Sequence, residues 1–132
     1  GAQSLPCTAH PCRSRPLMKD DRIYLLHIRD AIQYILIYTT SGKDGFFVDR
    51  KTQDAVIRNL EIIGEATKRL SASLKNAHPD IAWKPIAGMR DKLVHDYFGV
   101  NLQLVWDVIE RDLPRLKVKV LHLLTTLNPP AS

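Results

Sequence analysis

KTQDAVIRNLEIIGEATKRLSASLKN, residues 51–76, places Val56, Leu60, Ile63, Thr67 and Leu70 on one stripe, with Ile57, Gly64 and Leu74 beside it. Steps of three and four match the helical period and not the alternation of a half-buried strand. The segment therefore reads as one long amphipathic helix from about Lys51 to Asn76, which Asp49 can cap. Gly64 falls mid-helix, where glycine costs about 1 kcal/mol relative to alanine, and that points to close packing by another helix.

The same period runs outward in both directions from Met18 onward. Upstream, a first helix is expected from about Asp20 to Thr40, with a face of Ile23, Leu26, Ala31, Ile35 and Tyr38 and with Asp20 and Asp21 at its positive end. SGKDG at 41–45 breaks it, and Phe46, Phe47 and Val48 should pack at the entrance of the long helix. Downstream, His78-Pro79-Asp80 is a break, after which Asp80 can start a short turn through Trp83. Pro85 suits the first turn of a third helix carrying Ile86, Met89, Leu93 and Val94, expected to end near Phe98 because Gly99 is a natural residue past a helix end. Asn101 can cap a fourth helix from Leu102 to about Arg111. Pro114 either kinks that helix or sits in the first turn of a fifth, capped by Asp112 and running to about Thr126. The expectation is an all-α, up-and-down bundle of four to five helices.

A length of 132 residues leads to the expectation of one domain and not a multidomain enzyme. Its 45% hydrophobic and 25% charged residues are ordinary for a globular body. Residues 1–17, GAQSLPCTAHPCRSRPL, contain both cysteines, Cys7 and Cys12, with Arg13, Arg15 and three prolines, and lack the apolar run of a secretory signal. They read as a disordered expression leader or non-native extension, 18–127 as the domain and 128–132 as a tail. The formal charge of +5 then falls to +3, from 17 Lys and Arg against 14 Asp and Glu. Such a surplus suits an anionic partner without proving one. No apolar run reaches the 18–20 residues that span a bilayer, so a cytoplasmic protein with no membrane association is expected.

One stretch does not read as packing. GMRDKLVHDYFGV, residues 88–100, crowds Arg90, Asp91, Lys92, His95, Asp96 and Tyr97 onto one short helix. A solvated face with ordinary i,i+4 pairs is one reading. The geometry offers another. On an ideal helix Asp91 and His95 lie about 40° apart, so the carboxylate can orient one imidazole nitrogen and leave the other for proton transfer. Arg90 and Tyr97 are about 20° off eclipse, whereas Arg90 and His95 diverge by about 140°. Either the arginine stem swings round, or the helix loosens after His95, or a partner subunit supplies the missing half. Arginine's planar fork suits a phosphate, and histidine moves protons near neutral pH.

Arg90-x4-His95-x-Tyr97 resembles the Arg-x4-6-His motif of HEPN domains, and the form ending in Tyr resembles their HepT branch, the DUF86 proteins. The similarity extends from about Met18 to Leu124, through MKDDRIYLLHIRDAI, RNLEIIGEATKRLS, IAWKPIAGMRDKLVHDYFGV and VWDVIERDLPRLK in that order. The resemblance implies the toxin half of a toxin–antitoxin pair, a metal-independent endoribonuclease that forms a homodimer through the motif helices, so that two Arg/His sets line one cleft. It implies His95 as general acid or base on the RNA 2′-OH and the leaving 5′-oxygen, Arg90 on the scissile phosphate, and Asp91 as a supporting residue. It further implies a partner, a minimal nucleotidyltransferase antitoxin that silences the toxin by transferring AMP onto Tyr97.

The remaining candidates read as structure. His27 and His122 sit in apolar helical segments and are expected partly buried, while Trp83 and Trp106 should fill core or interface. No His or Cys pair has the spacing of a metal site, and no metal or cofactor is expected. Arg58, Lys68, Arg69 and Lys75 form a solvated face that could guide RNA. The rival to a nuclease is a non-catalytic helical adaptor that positions the nucleotidyltransferase or its nucleotide.

Overall fold

The computed structural model describes residues 16–95 and 101–127, with backbone alone for 16–19 and 90–95. Every element among the described residues is helical. In chain order they are α1 (Pro16–Tyr38), α2 (Gly42–Val48), α3 (Arg50–Arg69), α4 (Ala72–Ala77), α5 (Trp83–His95), α6 (Leu102–Asp107), a π-turn at Val108–Asp112, and α7 (Leu113–Leu127). The expected all-α bundle is the fold. α3 lies at its centre, packed against α1 on one side and α5 on the other, and α7 closes against α1.

The α3 stripe is as the spacing predicts, with Val56, Leu60, Ile63, Thr67 and Leu70 all buried. Thr67 belongs there because its hydroxyl donates to the Ile63 carbonyl at 2.7 Å, so no polar group is stranded. Asp49 caps the helix, accepting from the Lys51 amide at 3.1 Å and the Thr52 hydroxyl at 2.8 Å. Those bonds, led by the Thr52 hydroxyl, hold its carboxyl below the usual carboxylate range. The expected run to Asn76 is instead two helices. Leu70 turns extended, and the Ser71 side chain accepts from the Leu74 amide at 3.1 Å and caps α4.

α1 differs from expectation in register. Its buried stripe is Asp21, Leu25, Ile28, Ile32, Ile35 and Thr39, with Ala31 beside it. Ile23 and Tyr38 are exposed, and Leu26 is only half-buried. The helix also begins at Pro16, inside the stretch expected to be a leader, so Asp21 is not a first-turn acid. The break before α2 is shorter than SGKDG, covering only Thr39–Ser41. Gly42 enters at φ 86, a left-handed backbone that glycine tolerates, and the remaining residues join α2. Phe46 goes fully into the core against Trp106, with ring centroids 5.6 Å apart, while Val48 stays exposed.

Pro114 falls in the first turn of α7, as one of the two readings has it, but α7 has no separate cap. The Leu113 amide donates to the Val108 carbonyl five residues back, and the π-turn carries the rod continuously from Leu102 to Leu127. Asp112 lies inside that turn and is no cap. Asn101 does cap the rod, accepting from the Leu104 amide at 3.1 Å.

Candidate active site

Arg90, Asp91 and His95 belong to α5, whose backbone stays α-helical through His95. Arg90 and His95 are therefore about 140° apart in register, and the expected loosening after His95 lies outside the described residues. The side chains of these three residues, Tyr97 as a whole, and the expected helix end at Phe98 and Gly99 lie outside the described residues.

What holds α5 in place is well described. The carboxylate of Asp21, buried on α1, accepts from the backbone amide of Ser71 at 2.8 Å and from its hydroxyl at 2.6 Å. Ser71 in turn caps α4. The carbonyls of Lys75 and His78, at the far end of α4, accept from the Trp83 indole N–H at 3.1 and 2.9 Å, so the first residue of α5 is pinned there. On the other side the Lys119 ammonium of α7 donates to Asp80 at 2.5 Å, tying the α4–α5 connection to α7. That bond is the main cause holding the Asp80 carboxyl below its ordinary value. Ile81 is buried just before α5, and Trp83, Ile86 and Met89 pack against the core. The start of the motif helix is thus fixed from α1, α4 and α7 together.

An open groove of about 680 Å³ runs between α5 and the rod formed by α6, the π-turn and α7, with Leu60 of α3 at its floor. Gly88 and Met89, the two residues before Arg90, line one wall. Leu104, Val108 and Arg115 line the other. Sequence reasoning did not find this groove, because neither wall shows an unusual spacing and its depth depends on how far α5 stands from α7. The available signal was Arg115 and Lys119, one turn apart on α7.

Two histidines differ from expectation. His27 and His122 are exposed, because each falls off the buried stripe of its helix, and His27 meets only the edge of Tyr24 at 6.1 Å. Trp106 is core, as expected, whereas Trp83 is half-buried and serves as a donor. Among the described residues no three His, Cys, Asp or Glu side chains gather where they could hold a metal ion. No helix among them is long and apolar enough to cross a membrane.

Comparison with known proteins bears on the same stretch. The family model "Ribonuclease HepT-like" matches residues 28–123, which spans α5 and most of the bundle. The chain is 44% identical over 104 residues to "Probable ribonuclease HepT" of Thermococcus cleftensis, covering 78% of this chain and 94% of that protein. It is 41% identical over 109 residues to "Putative RNase TTE0752" of Caldanaerobacter subterraneus, covering 81% and 96%. It is also 44% identical over 113 residues to "Gamma-glutamylcyclotransferase and putative RNase MJ0434" of Methanocaldococcus jannaschii, where 85% of this chain spans only 51% of that protein. No solved structure matches the chain. A model match over most of the domain, with two of these relatives aligned along nearly their whole length, means that the chain belongs to the HepT-like ribonuclease family.

Proposed function

We propose that the protein is a metal-independent endoribonuclease, the toxin half of a toxin–antitoxin pair acting in the cytoplasm as a homodimer. The observation that carries this reading is the Arg90-x4-His95 pair on an α5 anchored at its start, within the stretch that matches the family. In the proposed reaction His95 takes the proton of the RNA 2′-OH, and the 2′-oxygen attacks the adjacent phosphorus. The bond from phosphorus to the 5′-oxygen breaks, and a proton returns to that oxygen. The products are a 2′,3′-cyclic phosphate and a 5′-OH. Arg90 binds the scissile phosphate and stabilises the charge that builds on it, and Asp91 orients the His95 ring. The register angle between Arg90 and His95 supports a cleft completed by a second copy. Silencing follows from Tyr97, close enough in sequence to share the site. AMP transferred from ATP by a cognate nucleotidyltransferase puts a phosphate on the Tyr97 oxygen, releases pyrophosphate, and occupies the anion site of Arg90.

Cleavage of RNA in EDTA tests the nuclease. His95→Ala should lose about 10²–10⁴-fold of the rate, and Arg90→Ala about 10²–10³-fold. A parent protein that leaves RNA intact while unmodified at Tyr97, or a His95→Ala protein that cuts equally well, removes the reading. For silencing, intact mass after incubation with the nucleotidyltransferase and ATP should rise by whole AMP units in the parent and not in Tyr97→Phe.

A further inference from the structure

We propose that the groove between α5 and the α6–α7 rod is a nucleotide subsite. It takes the base of an RNA residue flanking the cut, with Arg115 on that residue's own phosphate. The inference rests on the ribonuclease reading above and extends it to substrate recognition. Position is the first argument, since Gly88 and Met89 line the groove and Arg90 follows them directly on the same helix. A strand whose scissile phosphate sits at Arg90 can reach this opening with a neighbouring nucleotide.

Chemistry is the second argument. The walls offered to a ligand are largely apolar, with Ile86 and Met89 facing Leu104 and Val108, which suits the flat face of an unstacked base. The volume lies within the range of sites that hold small organic molecules. The cations at the rim are not equivalent. Lys119 is engaged by Asp80 at 2.5 Å; Arg111, one turn before Arg115 but off the groove lining, is paired with Asp107 at 3.5 Å. Arg115 is exposed and makes no ion pair or hydrogen bond with another described residue, so its fork is available to a phosphate. Asp112 lies on the same rim. Its carboxylate accepts hydrogen bonds and repels phosphate, which suits a base amino group or a ribose hydroxyl beside it.

Space is the third argument. A Cβ built on Gly88 meets no described atom within 4 Å, so the described wall leaves room at that position. That room also provides the test, because Gly88→Leu adds bulk to the groove wall at a position whose Cβ meets no described atom and removes a helix-interior glycine. Binding of a 2′-O-methyl oligoribonucleotide, which cannot be cleaved by 2′-oxygen attack, is measured by fluorescence anisotropy across salt concentrations. Cleavage of the unmethylated RNA is followed in parallel, and thermal melts verify folding. Arg115→Ala should weaken binding about tenfold and lower the slope of log affinity against log salt by about one. Its loss in cleavage should appear in KM, with kcat held within about twofold, as for uniform binding. Gly88→Leu should weaken binding similarly and change the nucleotide preference beside the cut while leaving the salt slope alone. Arg50→Ala, an exposed cation on α3, should match the parent.

If the parent cleaves RNA and both variants bind and cleave as it does, the subsite is overturned and the ribonuclease stands. If the parent cuts nothing but both variants lose affinity for the oligonucleotide, the ribonuclease reading falls and the subsite falls with it as a cut-flanking site, leaving a groove that only binds nucleotide. A parent that neither binds nor cuts overturns both.

Discussion

Asp21 shows how much of this fold hangs on single polar residues. It occupies a core position on α1, only 5% exposed, and both its oxygens are taken up by Ser71 fifty residues away. Hydrogen bonds to a charged group contribute more than neutral ones, and leaving the carboxylate buried without its donor costs the desolvation of that group. Ser71→Ala removes the hydroxyl donor to Asp21 and the cap of α4 together. It should cost about 2–3 kcal/mol in urea unfolding. Asp21→Asn keeps an acceptor and should cost less. Nothing in local spacing encodes this contact. Asp21 reads in sequence as an acid at a helix start, and only the earlier start of α1 at Pro16 and the return of the chain at Ser71 give it another use. Asp80 is partly legible in the same way, as an acid after a break, but its partner Lys119 is again remote. Its lowered pKa fixes a sign. Whatever stability the pair contributes is present above the ordinary carboxylate pKa of about 4 and is lost as pH falls through the lower folded value. Asp80→Asn should therefore lower stability slightly at neutral pH and flatten the acid limb of the stability profile by that same small amount, because the pair is exposed.

Elements were legible where apolar residues fill one stripe and obscure where they fill several. α3 has a polar face, so its stripe could be read directly. α1 carries apolar side chains nearly all round, from Ile23 to Tyr38, so several stripes fit the period and the one that α3 and α7 cover is a property of the assembled bundle. The split between α3 and α4 was hidden because Leu70 and Leu74 keep the i,i+4 step across it. Pro114 gave a true signal with two readings, and the molecule uses neither in full. A proline inside a helix costs about 3 kcal/mol relative to alanine when it strikes the carbonyl four residues back. The π-turn at Val108–Asp112 widens the helix just before that point. Pro114→Ala should then stabilise by well under that figure, about 1 kcal/mol or less in urea unfolding. A gain near the full penalty would mean that the π-turn does not relieve the clash.

At the scale of the whole molecule the question is whether one chain can make a complete site. The motif was legible because its residue types are chemically unusual on so short a helix, and α5 is where the spacing put it. The convergence that the proposed reaction needs is not encoded along one chain, since a regular helix holds Arg90 and His95 about 140° apart. The proposed composite cleft makes a sharper demand than dimerisation alone. If Arg90 of one protomer works with His95 of the other, two inactive variants should rescue each other. A protomer carrying Arg90→Ala keeps His95, and a protomer carrying His95→Ala keeps Arg90, so their heterodimer retains one intact pair across the interface and none within either chain. Random exchange at equal amounts makes about half of the dimers mixed, each with one of its two sites, so the mixture should recover about a quarter of parental activity per protomer. Exchange is verified by mass spectrometry of differently tagged protomers, so that failure to mix is not mistaken for failure to complement. Complete mixing with no recovery would place both groups of each working pair on one chain, and the arginine stem, not a second subunit, would have to span the angle.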